Sequence, residues 1–145
     1  MYWSLQGNIG LGKAIEYFTS HQIPVSIPLN DTQPYDLIAD MNNKLERVSV
    51  KTSCNKTEYG TYCVNLRNCG GSSGKGKNRP FDNNKCDYVF ALTEDDKIYL
   101  IPSDKIDNIN SITIGKKYTE YEVKTKSFSD FVKDMEGTRM VRKQS

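Results

Sequence analysis

Pro34-Tyr35-Asp36-Leu37-Ile38-Ala39-Asp40 and, after Met41-Asn42-Asn43-Lys44, the run Leu45-Glu46-Arg47-Val48-Ser49-Val50-Lys51-Thr52 decide how this chain is read. The first is a short strand that begins directly after its proline. The second is a longer strand, and the two asparagines between them tolerate the positive φ of a tight hairpin turn. In the return strand Glu46, Val48 and Val50 share one face and Arg47, Ser49 and Lys51 the other, because side chains alternate with period two. A polar row therefore faces away from the valines. Pairing of the strands brings Asp36 toward Ser49 and Lys51, an acid and an ammonium on neighbouring strands. Taken alone, such a pair is more often a surface ion pair than a catalytic one.

Working outward, Leu11, Ala14, Ile15 and Phe18 form one apolar stripe at helical spacing, so Gly7 to Gln22 reads as a helix with Asn8 as its N-cap. Pro24 to Leu29 is β-branched and interrupted by prolines, which suits an extended edge segment. Further strands are expected at Thr61 to Leu66, Tyr88 to Leu92 and Lys97 to Ile101, the last two joined by the acidic turn Thr93-Glu94-Asp95-Asp96. A terminal helix is expected to begin at Ser129 to Met135. Between the strands, Asn68 to Asn84 is a long Gly-, Ser-, Asn- and Lys-rich loop of the kind that tends to be functional or disordered. Helix, mostly antiparallel hairpins and helix together give an α+β or mixed α/β layering. At 145 residues the chain is read as one domain, 1–145, with one main core.

The composition, 37% hydrophobic and 26% charged, excludes a disordered chain and a membrane protein. No stretch approaches the ~18 apolar residues of a membrane span, and the N-terminus lacks a signal-peptide pattern, so no membrane partner is expected and the cytoplasm is the expected location. The net charge of +2 hides a strong asymmetry. Residues 44–85 carry nine Lys and Arg against three Asp and Glu, whereas residues 1–43 carry one against four. Cys54, Cys63, Cys69 and Cys86 contain no C-x-x-C pair and the one histidine, His21, lies far upstream, which argues against zinc and for reduced thiols, with Cys63 packed in a strand.

These two strands, with Tyr62-Cys63-Val64-Asn65-Leu66, Tyr88-Val89-Phe90 and Tyr99-Leu100-Ile101-Pro102, resemble the group I intron-associated homing endonucleases of the PD-(D/E)XK superfamily, in particular the branch encoded in a cyanobacterial transfer-RNA intron. The resemblance covers roughly residues 5–105. It implies a restriction endonuclease-like core, a central mixed β-sheet flanked by α-helices, and Mg²⁺-dependent hydrolysis of double-stranded DNA. It further implies that Asp36 ligates the Mg²⁺, that the backbone carbonyl of Val50 is an additional ligand, and that Lys51 assists the attacking water and stabilises charge on the phosphate. Two of the implied catalytic positions depart from the pattern. Ser49 stands where the family has Glu or Gln, and a hydroxyl is a poorer ligand for a hard cation. Leu11 stands where the first helix contributes a Glu, and Glu16 lies about 140° round the helix from it. The expectation is therefore weak Mg²⁺ binding, a retained DNA surface and much reduced cutting.

For DNA contact the candidates are Arg67, Asn68, Ser72, Lys75, Lys77 and Arg79, interleaved with glycines, and their neighbours Lys56, Tyr59 and Lys85. One small module covers only a short stretch of duplex and cutting both strands needs two sites, so a homodimer, or a tetramer built as a dimer of dimers, is expected. Residues 106–145 form a C-terminal extension whose apolar positions Ile112, Ile114, Tyr118, Tyr121, Val123, Phe128 and Phe131 serve either the subunit interface or the chain's own core. Three other functions remain open: a restriction or junction-resolving nuclease, a non-cleaving sequence-specific DNA-binding protein, and a small zinc-stabilised module.

Overall fold

The computed structural model describes residues 2–69 and 78–144. In chain order the elements are α1 (Tyr2–Ser20), β1 (Val25–Ser26), β2 (Leu37–Met41), β3 (Lys44–Ser53), β4 (Tyr62–Asn65), β5 (Asn68–Cys69), β6 (Asn78–Arg79), β7 (Tyr88–Thr93), β8 (Ile98–Pro102), β9 (Ser111–Ile114), β10 (Glu122–Val123) and α2 (Phe128–Gln144), with short 3₁₀ turns after β8 and β9. Six strands form the central sheet in the order β1-β2-β3-β7-β8-β10. Only the β3–β7 pair within it is parallel.

The β2–β3 hairpin closes as its sequence requires, with Asn42 and Asn43 both left-handed at φ 58° and 62°. Helix α1 starts five residues before the expected Gly7, because Tyr2 to Gln6 contains nothing that breaks a helix. It ends in a Schellman arrangement. Ile23 N–H donates to Phe18 O and Gln22 N–H to Thr19 O, with Gln22 at φ 61° in the place glycine usually takes. Ser127 caps α2 by accepting from the Asp130 N–H.

The sheet is buried on both sides by two different layers. On one side Ala14, Tyr17 and Phe18 of α1 pack on Leu37, Val48, Phe90 and Leu92 of the sheet. On the opposite face β4 and β9 pair as a small second sheet, packing Val64, Ile112 and Ile114 with Leu66, Phe81, Val89, Ala91, Ile101 and Tyr118. The cover on that side is thus a β-ribbon rather than a helix. It includes the parallel crossover from β3 to β7, and it consumes Ile112, Ile114 and Tyr118 in the chain's own core.

Candidate functional site

β2 and β3 stay paired from Met41–Lys44 to Leu37–Val48, and the Asp36 N–H adds one more bond, to Val48 O at 2.9 Å. There the strands part. The next β3 donor, Val50 N–H, is taken by the Asp36 side chain, with Oδ2 at 2.6 Å, so a carboxylate fills the gap left by a missing backbone partner. Although Asp36 is exposed as a residue, protein crowds round its carboxyl. That desolvation pushes its pKa up, while the Val50 N–H and the positive charge of Lys51 pull the other way.

Asp36, Val50 and Lys51 line one cleft of about 1320 Å³ together with Tyr35, Arg47, Arg79, Asn83, Lys85 and Ile109. Lys51 is half-buried, and its Nζ donates to the carbonyl of Arg67 at 3.4 Å. Arg47 also lines the cleft but its charge is committed. Its guanidinium meets both carboxylate oxygens of Asp87, at 3.1 and 3.2 Å, and its backbone N–H reaches Oδ2 at 2.8 Å. The pairing holds Asp87 below the usual carboxylate range and raises Arg47 further. Arg79 and Lys85 are exposed on the same cleft and offer cations to a phosphate, although Asp31, Asp82 and Asp107 line it too.

A divalent cation has limited protein ligation here. Ser49 is 1% exposed, is not part of the cleft lining, and its hydroxyl has no hydrogen-bond partner among the described residues. Leu11 is half-buried on α1 and packs against the apolar layer between that helix and the sheet, and Glu16 is exposed. Of the other acids on the cleft, Asp107 pairs with Lys117, Asp82 caps the Asn84 N–H, and Asp31 is exposed. Among the described residues no three His, Cys, Asp or Glu side chains gather as a metal cage. Mg²⁺ nevertheless needs only one or two carboxylates when waters and substrate phosphates complete its shell. The Asp36 carboxylate, held against the Val50 backbone, is chemically compatible with such a one-carboxylate site.

The remaining sequence candidates divide. Lys56 and Tyr59 are exposed on the turn between β3 and β4, outside the cleft lining; Thr57 and Thr61 close that turn, and Lys56 lies over the Tyr62 ring instead. Asn68 pairs through its backbone with Arg79 at the base of the β5–β6 hairpin. Ser72, Lys75 and Lys77 lie outside the described residues. Arg67 donates to the Asn110 side chain, and its carbonyl accepts from Lys51. Sequence reasoning did not single out Tyr35, Asn83 or Ile109, and their only signal was position: one precedes the motif aspartate and the others sit in polar turns.

A family model described as PD-(D/E)XK endonuclease matches residues 1–133. The solved structure of a bacterial homing endonuclease, I-Ssp6803I, is similar over 98% of each chain with a TM-score of 0.63 and 21% sequence identity, a shared fold between distinct proteins. No curated protein matches the chain in sequence. A hairpin that fastens an aspartate beside a lysine on a mixed sheet, in a chain whose first 133 residues match the family model, shows that this protein belongs to the PD-(D/E)XK endonuclease family.

Proposed function

We propose that the chain is a site-specific double-stranded DNA endonuclease of the homing kind, of the group I intron type, which hydrolyses phosphodiester bonds with Mg²⁺. The observation that carries this reading is the Val50 N–H bond that pins the Asp36 carboxylate at 2.6 Å in a cleft also lined by Lys51, Arg79 and Lys85. Asp36 and the Val50 carbonyl would hold the cation. When bound, it lowers the pKa of water and offsets negative charge on the phosphate. Lys51 adds a second positive charge from the same strand, where it stabilises the phosphorane-like charge as it builds up. Arg79 and Lys85 neutralise flanking phosphates and hold the duplex in register. A single carboxylate makes the cation site weak, so cutting is slow and needs more Mg²⁺ than a two-carboxylate relative. The assay is cleavage of duplex libraries across a Mg²⁺ titration, with Asp36→Asn as the control. Mg²⁺-dependent cutting that Asp36→Asn abolishes is expected, and equal cutting by both proteins would overturn the assignment.

A second reading is favoured by one observation, the placement of both Ser49, buried, and Leu11, half-buried, outside the cleft lining. It is a DNA-binding protein of this lineage that no longer cuts. Tight binding of one duplex with no product at saturating Mg²⁺ would establish it. Substrate preference separates the other nucleases, a short palindrome marking a restriction enzyme and a four-way junction marking a resolvase. Cutting both strands calls for two copies. Self-association is supported by the exposed Tyr2, Trp3, Leu5 and Ile9 on α1 and Phe128 on α2, and sedimentation with and without DNA measures it.

A further inference from the structure

The β5–β6 hairpin stands on two consecutive carbonyls. Just after β6, the Phe81 N–H donates to Ile109 O at 2.8 Å; just before β5, the Leu66 N–H donates to Asn110 O at 2.9 Å. Both feet of the basic, glycine-rich segment are therefore fastened to one turn. That turn is itself closed by Asn108, whose Oδ1 accepts from the Asn110 N–H at 2.8 Å and the Ser111 N–H at 3.4 Å. The Asn110 side chain adds a third tie, accepting from Arg67 Nη1 at 2.5 Å. Arg67 is also held through its backbone, by its N–H to Asn65 Oδ1 at 2.9 Å, and its carbonyl is the acceptor for Lys51 Nζ.

An ammonium on a four-carbon stem has many rotamers, so its position depends on what holds its end. Here one holder is a backbone carbonyl, and the orientation of that carbonyl depends on how residue 67 is gripped. We propose that Asn110 is a positioning residue: by clamping the Arg67 guanidinium it sets the carbonyl on which the Lys51 ammonium rests, and so couples the foot of the hairpin to the lysine of the cleft. The functional meaning rests on the reading of Lys51 as the charge-stabilising group of a DNA-cleaving site, but the geometry does not. The coupling runs in both directions. A duplex that pulls on Arg67 shifts the Lys51 anchor, so DNA engagement and placement of the ammonium become one event.

The test uses the full-length chain and ¹⁵N relaxation of lysine NH₃⁺ groups. Asn110→Ala keeps the backbone carbonyl that Leu66 uses and removes only the clamp. It should lower the order parameter of Lys51 while leaving Lys97, on the distant β7–β8 turn, unchanged. Asn110→Asp supplies an acceptor of the same shape and should restore it. Unaltered Lys51 order in Asn110→Ala would overturn the proposal. If the alanine variant loses amide protection at Leu66 and Phe81, Arg67→Ala becomes the deciding variant, with the same loss expected and the same overturning result. Single-turnover DNA cleavage should fall roughly tenfold in Asn110→Ala with duplex affinity within about twofold, since misplacing a catalytic group costs rate rather than binding. If the unaltered chain binds no DNA, the endonuclease reading fails while the lysine measurement still decides the coupling.

Discussion

The two faces of β3 have opposite fates. On one, Val48 is fully buried beneath α1, Val50 packs beside it, and Thr52 receives a hydrogen bond from Gln6 Nε2 at 2.8 Å. On the other, Arg47 is tied to Asp87, Ser49 is sealed in, Lys51 reaches the Arg67 carbonyl and Ser53 donates to Cys63 O at 2.5 Å. The first face is covered and largely apolar; the second is polar and only partly covered, since Arg47 and Lys51 also line the cleft. A polar row under partial cover costs stability unless its groups are satisfied. Asp87, the Arg67 carbonyl and the Cys63 carbonyl satisfy Arg47, Lys51 and Ser53, but nothing among the described residues does so for Ser49. The first face fixes where the strand lies, and the second uses that fixed strand to hold charge.

The sharpest way to test this division is to damage the apolar face. Phe18 is fully buried against Phe90 and Tyr17. Phe18→Ala should cost about 3–5 kcal/mol in denaturant unfolding, and a cost comparable with surface substitutions would show that α1 does not anchor the sheet. Gly10→Ala comes next. A Cβ there would lie 2.6 Å from Thr52 Cγ2 and 3.2 Å from Val50 Cγ1. Rotating Thr52 out of the way breaks its bond from Gln6, so the clash outweighs the ~1 kcal/mol that alanine gains in a helix. A net loss of about 1–3 kcal/mol is expected, and increased stability would contradict the close approach of α1 to β3.

The polar side supplies a smaller contrast, between two carboxylates shifted in opposite directions. Asp87 has a lowered pKa because Arg47 bonds it, so its folded form binds fewer protons than the unfolded chain. Its contribution is complete above the unfolded value and is lost as pH falls through the folded one. Asp87→Asn should therefore destabilise by about 1 kcal/mol at neutral pH, the partly exposed pair being discounted for screening, and by less in acid. Asp36 has a raised pKa through desolvation, so its folded form binds more protons, and stability is lost as pH rises from its unfolded value to its folded one. Asp36→Asn, assayed without divalent cations, should raise the melting temperature at neutral pH, and the gain should vanish in strong acid. Shifts of the same sign from both variants would break the contrast.

Much of this was legible in the sequence. The Asn42-Asn43 turn, the alternation of β3 and the motif pair Asp36 and Lys51 follow from local rules, and the paired strands set them in place. What was not legible depends on contacts distant in sequence. The ribbon of β4 and β9 joins segments that local patterning cannot pair, because four-residue strands carry little periodicity. It is that layer and its surroundings that leave Ser49 buried and the polar row partly covered. Lys56 and Tyr59 looked like neighbours of the site because they are close in sequence, but β3 runs on to Ser53 and carries their turn away from the cleft lining. The role of residues 108–110 was hidden for the same reason, since only the fold brings that turn to both feet of the hairpin.

The proposed DNA-cleaving site on the polar face of β3 turns on Lys51. Its most direct test is to measure duplex binding and Mg²⁺-dependent cleavage for the unaltered chain and Lys51→Ala side by side. Lys51→Ala should fold with nearly unchanged stability, bind duplex within a few-fold, and lose cleavage by at least about 10²-fold, the scale set by removing one charge-stabilising group. Equal cleavage by the two proteins would contradict it.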